Sequence, residues 1–205
     1  MDEGHWGSPM VVEELSKKEL TFRPVTLDEW TDLQTLFSEA GVQNGCWCTY
    51  WRVKRSEYFR SYGEGNKKTM QRIIEAGRVP GIQAYLSGLP IGWCSVAPRE
   101  DFPVLDRSHT LKRIDNQAVW SIVCFFISKP YRTKGLTRVL IDAAIAYAKS
   151  NGVQIIEAYP IIPESMPDPR YERYTGVITT FEKAGFKEVV RRSERRPIMR
   201  YIIHD

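Results

Sequence analysis

The sequence predicts an α/β (α+β) domain, and three features of one central segment carry this prediction. Residues 119–127 are almost continuously apolar and rich in aromatic and β-branched side chains, which is typical of a strand buried on both faces. Residues 135–150 repeat apolar side chains at helical spacing and end at Asn151-Gly152, a common helix terminus. Residues 128–134 join the two as a short cationic turn. A buried strand that enters an amphipathic helix in this way is typical of α/β domains.

The chain before this segment predicts two helices and three strands. Residues 20–26 alternate like a strand, and Thr26 with Glu29 matches a capping box that starts a helix. A second helix is predicted over residues 67–76, whereas the aromatic segment between the two helices fits no standard element. Two further strands and a long loop are predicted over residues 82–86, 91–96 and 97–117.

The chain after the central helix predicts a strand over residues 153–159, a proline-rich loop, a helix over 175–184 and a closing hairpin. Residues 1–19 carry no clear apolar period and are predicted to be a flexible extension. Residues 20–205 are therefore predicted to form one domain, because 205 residues are enough for one substantial core.

Composition limits the class of protein. The chain is 42% hydrophobic and 26% charged with a net charge of +4, which is ordinary for a globular protein. No apolar run has the length of a membrane helix, and residues 1–10 lack a signal-peptide core, so a cytoplasmic protein with reduced thiols is expected. The four cysteines lack the spacing of a paired zinc site, and no metal is predicted.

The cationic turn is the first candidate site. Lys129, Arg132, Lys134 and Arg138 surround the start of the central helix, where unpaired N–H groups and the helix dipole favour a phosphate or pyrophosphate. A basic turn on a solvated surface is the alternative, and the turn alone does not separate the two interpretations.

The same residues resemble a known family. Residues 132–137, Arg-Thr-Lys-Gly-Leu-Thr, resemble the acyl-coenzyme A loop of the GNAT superfamily of acetyltransferases, Arg/Gln-x-x-Gly-x-Gly/Ala, except that Thr137 replaces the small last residue. Residues 180–186, Thr-Phe-Glu-Lys-Ala-Gly-Phe, are similar to the family's C-terminal element. Residues 45–48, 92–99 and 119–126 look more narrowly like a bacterial subgroup of unassigned substrate.

The resemblance implies a fold, a cofactor and a reaction. The fold would be a mixed, mostly antiparallel sheet of six to seven strands with helices on both faces. The protein would be an N-acetyltransferase that moves an acetyl group from acetyl-coenzyme A to an amine by direct attack, without a metal. The implied coenzyme-binding residues are the strand backbone and the loop: Phe125, Phe126, Ile127, Arg132, Thr133, Lys134, Gly135, Leu136 and Thr137.

Proton transfer is less clear from the resemblance, because Phe181 occupies the position of the family's usual tyrosine acid and cannot donate a proton. Tyr174, one turn upstream, is a candidate replacement. Glu157, near the end of a predicted strand, is a candidate base if its carboxylate faces the acceptor cleft, and His109 in the long loop is its rival.

The aromatic segment is the candidate acceptor wall, with Trp47, Cys48 and Trp51 as substrate-binding residues. The Cys46-x-Cys48 pair could instead be buried structural thiols, or a redox or metal site. The acceptor could be a small-molecule amine or a peptide N-terminus, and acidic residues near Glu100 hint at a cationic one. Exposed aromatic residues near residue 50 could serve a homodimer.

Two other classes of function remain open. A non-catalytic acyl-coenzyme A sensor or partner-binding domain is favoured by Phe181 and Thr137. An RNA-associated module would use the basic cluster of the last hairpin, although that cluster lacks interleaved aromatic residues and no nucleic acid or membrane partner is expected. The cluster consists of Arg191, Arg192, Arg195, Arg196 and Arg200.

Overall fold

A seven-stranded mixed sheet with helices on both faces forms the domain, which confirms the predicted fold class. The structure, a computed structural model, describes residues 20–38, 45–166, 168 and 173–204. The predicted extension over residues 1–19 lies outside the described residues, so the domain boundary at residue 20 stays a prediction. None of the described helices is long and apolar enough to cross a membrane.

The sheet has the strand order β1-β2-β3-β4-β5-β7-β6. β4 and β5 run parallel, whereas the other neighbouring pairs among the described residues are antiparallel. The strands are β1 Leu20–Pro24, β2 Ile82–Leu86, β3 Leu89–Pro98, β4 Trp120–Ile127, β5 Ile155–Ala158, β6 Lys187–Val190 and β7 Ile198–Ile202.

The described helices confirm the predicted ones and add two short ones. They are α1 Trp30–Ser38, α2 Arg55–Arg60, α3 Glu64–Glu75, α4 Pro103–Arg107, α5 Leu136–Ser150 and α6 Ile178–Lys183. Half of the predicted capping box forms before α1, since the N–H of Thr26 donates to a carboxylate oxygen of Glu29 at 3.1 Å. The hydroxyl of Thr26 also donates to that oxygen and accepts from the N–H of Asp28 instead of that of Glu29. The sequence did not predict α2, which has six residues and buries mainly Tyr58.

Each face of the sheet has its own hydrophobic cluster. One contains Leu136 and Leu140 of α5 and Phe181 of α6, and the other contains side chains of α1, α3 and α4. The sheet approaches α5 closely at Gly92, where an added Cβ would lie 3.3 Å from both leucines. Helices therefore cover both faces and leave the ends of the central strands for a site.

The central strands diverge halfway along β4. β4 pairs with β5 only over residues 120–122, although it continues to Ile127. At the same point the register with β3 shifts, since Val96 lies opposite Ile122 and Ser95 lies opposite Cys124. Val123 is thus the extra residue of a β-bulge, which bends a strand and disrupts its pairing. Residues 123–127 have β3 on one side and no strand of the described residues on the other.

The packing of α5 on the sheet predicts a large effect of a truncation. Leu140→Ala should lower the free energy of unfolding by about 2–5 kcal/mol, because Leu140 is fully buried and its loss leaves a cavity. Equilibrium urea unfolding measures the change. Val189→Ala on β6 is the control, because that side chain is 43% exposed and should lose much less. Equal losses in the two variants would contradict this account of the core.

Candidate functional site

A cleft of about 1300 Å³ opens at the end of β4. Three of its lining residues are Phe125, Phe126 and Ile127, two come from the loop that leads into α5, and Thr137 comes from the first turn of that helix. Other lining residues come from α2, the loop before it, the loop between β3 and β4, and the segments that follow β5 and β6. The divergence of β4 from β5 thus provides an open strand edge inside a cavity.

The hydrogen-bond alternation of β4 determines which backbone groups face this opening. The N–H of Ser128 donates to Ile91 O at 3.0 Å, so this pair is a hydrogen-bonded pair of the β3–β4 ladder. Hydrogen-bonded and non-hydrogen-bonded pairs alternate in antiparallel sheets. Phe126 is therefore bonded to β3, whereas the N–H and C=O groups of Phe125 and Ile127 point toward the open side.

The loop between β4 and α5 has the conformation of an anion-binding turn. Thr133 and Gly135 have φ values of 61° and 81°, and Gly135 is the N-cap of α5. Turns of this kind, together with the first N–H groups of a helix, form concavities that bind anions. The Nε of Arg132 donates to Ile127 O at 2.8 Å, which fixes the loop against the end of β4.

A second cavity of about 320 Å³ surrounds the start of α5 and shares lining residues with the cleft. Every predicted coenzyme-binding residue except Lys134 lines one of the two cavities. The Nζ of Lys134 lies 5.9 Å from the ring centroid of Tyr131 instead. Thr137, the departure from the loop pattern, lines both cavities.

The aromatic side of the cleft differs in part from the predicted wall. Cys48 and Trp51 line the cleft as predicted. Trp47 is not among its lining residues, because its ring packs against Trp30 and Phe37 at centroid distances of 5.8 and 5.4 Å. The prediction grouped Trp47 with Cys48 and Trp51 as one wall, whereas the positive φ values of Trp47 and Cys48 break any regular run of the backbone there.

Tyr58 is a cleft residue that sequence reasoning missed. It belongs to α2, and its ring packs edge-on against Tyr50 and Tyr62. Burial, followed by the neighbouring side chain of Cys46, raises the pKa of Tyr58. The aromatic residues at positions 58, 59 and 62 share one side of a helical turn, and that spacing was the available signal.

Two of the cysteines that line the cleft, Cys46 and Cys124, are poor nucleophiles at neutral pH. Burial, together with the neighbouring Cys48, raises the pKa of Cys46 to about 11. The hydrogen bond with Cys48 and burial also raise the pKa of Cys124, whose Sγ lies 3.0 Å from that of Cys48. Since the thiolate is the reactive form, this environment disfavours a covalent acyl-cysteine intermediate. No group of three or more metal-ligating side chains occurs in the described part of the chain.

Tyr174 lines the cleft and is half-buried, and Phe181 does not line it. Phe181 is fully buried between Phe125 and Phe186, with ring centroids 6.0 and 5.1 Å away. The position at which the resemblance implies a tyrosine is therefore part of the core. Of the two residues, Tyr174 is the one with a hydroxyl in the cleft.

Glu157 does not face the cleft, which corrects the expectation behind its role as a base. It is 1% exposed and lies outside the cleft's lining residues. One carboxylate oxygen accepts from Arg99 at 2.7 Å and from the hydroxyl of Tyr159 at 2.7 Å. The other accepts from Arg200 at 2.8 Å. Each carboxylate oxygen is thus bound to an arginine. We therefore infer that Glu157 stabilises the fold and does not contact an acceptor amine.

Arg99 extends this buried cluster to the loop between β3 and β4. Its guanidinium also donates to Asp106 Oδ1 at 2.9 Å and to Leu111 O at 2.7 Å. Leu111 lines the cleft with Ser108 and Thr110. The ion pairs therefore attach one wall of the cleft to β5 and β7.

The remaining predicted acidic residues and His109 lie outside the lining of the cleft. His109 is exposed and lies outside the lining, although both of its neighbours line the cleft. Glu100 pairs with Arg113 at 2.6 Å, and Asp101 pairs with Arg52 at 3.2 Å. Neither carboxylate lines the cleft, which does not support the hint of a cationic acceptor.

The basic cluster of the last hairpin is not one continuous surface. Arg191 pairs with Glu188, Arg192 donates to Lys112 O at 2.6 Å, and Arg196 donates to Tyr159 O at 2.7 Å. Side chains directed to different parts of the domain do not form the stripe of free cations that a nucleic acid needs.

Comparison with known proteins now identifies the family. A family model described as the acetyltransferase (GNAT) family matches residues 43–164, more than half of the chain. The chain belongs to the GNAT family of acetyltransferases. Membership indicates acyltransferase activity, and the predicted resemblance is confirmed. No curated protein matches the chain.

Solved structures with a similar fold include other GNAT proteins. An acetyltransferase of the GNAT family from Streptococcus agalactiae has a TM-score of 0.55 and 14% identity, over 91% of this chain and 96% of that one. An uncharacterized protein from Bacillus halodurans has a TM-score of 0.54 and 19% identity, over 92% of this chain and 86% of that one. At these identities the likeness shows the GNAT fold alone.

The buried ion pairs of Glu157 predict a stability effect. Glu157→Gln should lower the free energy of unfolding by about 3–5 kcal/mol, because two arginines lose their shared buried carboxylate. Urea unfolding at pH 7 measures the change. Asp115→Asn is the matched control: it also removes a carboxylate from Arg200, but that side chain is 37% exposed, so the loss should be about 1 kcal/mol or less. Near wild-type stability of Glu157→Gln would contradict the structural role.

The environment of Cys46 predicts a pH dependence. With a pKa of about 11, roughly one thiol in 10³ is ionised at pH 8, against about one in four for an ordinary cysteine. Alkylation of Cys46 by iodoacetamide should therefore be about 10²-fold slower than that of free cysteine at pH 8. Peptide mass spectrometry should show the rate rising about tenfold per pH unit between pH 7.5 and 9.5. A plateau near pH 9 would contradict the raised pKa.

Proposed function

We propose that this protein transfers an acetyl group from acetyl-coenzyme A to the amine of an acceptor held in the cleft. The observation that carries the proposal is the open edge of β4, which lies beside a basic loop at the start of α5. An extended amide chain such as the pantetheine arm can pair with an open strand edge. The pyrophosphate that follows it suits a helix N-terminus.

The proposed coenzyme site uses two kinds of contact. The N–H and C=O groups of Phe125 and the N–H of Ile127 would pair with the pantetheine arm, because they face the opening, whereas the C=O of Ile127 already accepts from Arg132. The loop from Arg132 to Thr137 would hold the pyrophosphate through backbone N–H groups and positive charge. The small cavity at the start of α5 supports this assignment, since it is bounded by the loop's own residues.

The proposed reaction is direct acyl transfer. The lone pair of the acceptor nitrogen attacks the thioester carbonyl, a C–N bond forms, and the C–S bond breaks with its electron pair leaving on sulfur. The amine loses one proton and the thiolate gains one, so the products are an amide and free coenzyme A. An N–H on the open side of β4 would stabilise the carbonyl oxygen as charge develops. The raised pKa values of Cys46 and Cys124 favour this route over an acyl-cysteine.

Tyr174 is our proposed acid for the departing thiolate, because it is the predicted candidate whose hydroxyl lines the cleft. Tyr58 is a second hydroxyl there, and its raised pKa keeps it protonated at neutral pH. None of the described residues that line the cleft carries a carboxylate. The acceptor would therefore enter as the free amine or lose its proton to water, and His109 stays a prediction as a base.

A non-catalytic acyl-coenzyme A sensor is the second candidate function. The fully buried Phe181, at the position where the resemblance implies a tyrosine, favours it. Both candidates require coenzyme binding, and they differ only in turnover.

Coenzyme binding predicts a thermal shift. Acetyl-coenzyme A at about 100 times its dissociation constant should add roughly 2.7 kcal/mol and raise Tm by about 5–10 °C, while NADH should not. Arg132→Glu with Lys134→Glu should abolish the shift, because the loop would then repel the pyrophosphate. Lys68→Glu with Arg72→Glu on α3 is the control, since it makes the same change of charge at exposed positions that line neither cavity.

The result that would overturn both candidate functions is no shift at saturating acetyl-coenzyme A in the unmodified protein. Release of free thiol with an amine acceptor supports the enzyme, whereas a shift without thiol release from a broad amine panel supports the sensor.

A further inference from the structure

One side of the cleft is an aromatic wall, which we define as Tyr50, Trp51, Tyr58, Phe59 and Tyr62. The rings contact one another edge-on, with centroids between 5.1 and 5.7 Å apart. They come from α2 and its flanking loops, not from the proposed coenzyme-binding segments. Such a surface suits an apolar, preferably aromatic group of the acceptor.

The permanent charges in the described lining of the cleft are all positive. Arg132 belongs to the proposed coenzyme loop, whereas Arg173, Arg195 and Arg196 come from the segments that follow β5 and β6. The side chains of Arg173 and Arg195 make no ion pair with any described residue, and both are exposed at the cleft. A guanidinium binds a carboxylate through two parallel hydrogen bonds, so these side chains favour an anionic group.

The carboxylates that could have attracted a cationic acceptor are neutralised elsewhere. Asp101 pairs with Arg52 at 3.2 Å and Arg78 at 3.0 Å, and Glu100 pairs with Arg113. A purely cationic amine would therefore meet like charge in the cleft and no counter-ion among the described lining residues. Repulsion of this kind discriminates between substrates that share the same apolar group.

We propose that the acceptor is an amine that carries both a carboxylate and an apolar ring, that is, an aromatic α-amino acid or a close analogue. The inference rests on the proposed function and specifies its acceptor. The ring packs against the aromatic wall, and the carboxylate binds Arg173 and Arg195 at the mouth of the cleft. The free amino group then reaches the thioester at the open edge of β4.

The test compares acceptors that differ only in the carboxylate. Phenylalanine, phenylalaninamide and phenethylamine share one ring, and the amide and the amine bracket the basicity of the phenylalanine amino group. Thiol release from acetyl-coenzyme A at equal acceptor concentration should give a kcat/KM at least tenfold higher for phenylalanine than for either neutralised form. Alanine, which keeps the carboxylate and lacks the ring, should also be at least tenfold poorer.

Two double variants test whether Arg173 and Arg195 bind the carboxylate of the acceptor. Arg173→Gln with Arg195→Gln should reduce kcat/KM for phenylalanine at least tenfold, mainly through KM, and leave the value for phenylalaninamide within about twofold. Arg72→Gln with Arg107→Gln, at exposed positions outside the lining, should change neither value. A rise in Tm on addition of phenylalanine in the presence of coenzyme A measures binding and does not depend on turnover.

Different results would overturn the proposal. Equal or better use of phenethylamine or the amide, or equal losses for acid and amide in the double variant, would contradict carboxylate recognition. Acetylation of peptide N-termini with no use of free amino acids would also contradict it. If acetyl-coenzyme A binds and none of these acceptors binds or reacts, the acceptor proposal alone fails. If acetyl-coenzyme A does not bind, the proposed function fails first.

Discussion

The separation of β4 from β5 is the constraint on which the rest of the site depends. The pairing of β4 with β5 ends at Ile122, and the bulge at Val123 turns the remaining half of β4 away from β5. An unpaired strand edge costs free energy when it is buried, because its polar groups lose hydrogen bonds to water. In this domain that edge lies in an open cleft, where a ligand with amide groups can complete the ladder. The basic loop and the start of α5 follow directly along the chain, so one local irregularity positions both parts of the proposed coenzyme site.

The part of the cleft formed by the loop between β3 and β4 depends on a second constraint, the buried cluster around Glu157. A buried carboxylate is tolerated only when its charge and its hydrogen-bonding capacity are satisfied, and two arginines and a tyrosine hydroxyl do so here. Through Arg99, the same cluster reaches the carbonyl of Leu111 and attaches the β3–β4 loop to the sheet. A long loop that would otherwise be mobile thus becomes a defined surface beside the acceptor space. The carboxylate that looked catalytic in the sequence is therefore best understood as a positioning group.

Hydrophobic periodicity predicted the sheet and the long helix α5, and the cationic turn between them indicated the candidate phosphate-binding loop, because these features are local in the sequence. Other features depend on contacts that one sequence does not display. The arginine partners of Glu157 lie 58 and 43 residues away along the chain, so its burial within an ion-pair cluster could not be inferred from its strand position. Trp47 was placed in the cleft because it lies next to Cys48 and Trp51 in an aromatic segment, but its backbone has a positive φ and its ring packs against Trp30 and Phe37. Tyr58 was missed because α2 has only six residues, so the spacing of the aromatic residues at positions 58, 59 and 62 was its only periodic signal.

Hydrogen–deuterium exchange with and without acetyl-coenzyme A tests the central claim most directly, since it reports on the backbone of the open strand. Peptides that cover residues 123–137 should exchange quickly in the free protein, because the amides of Phe125 and Ile127 have no strand partner on the open side. Acetyl-coenzyme A should slow exchange in those peptides, while peptides from β1 and β2 should be unchanged. If acetyl-coenzyme A slows exchange only elsewhere, or if residues 123–127 are already fully protected without it, the open edge of β4 is not the coenzyme site.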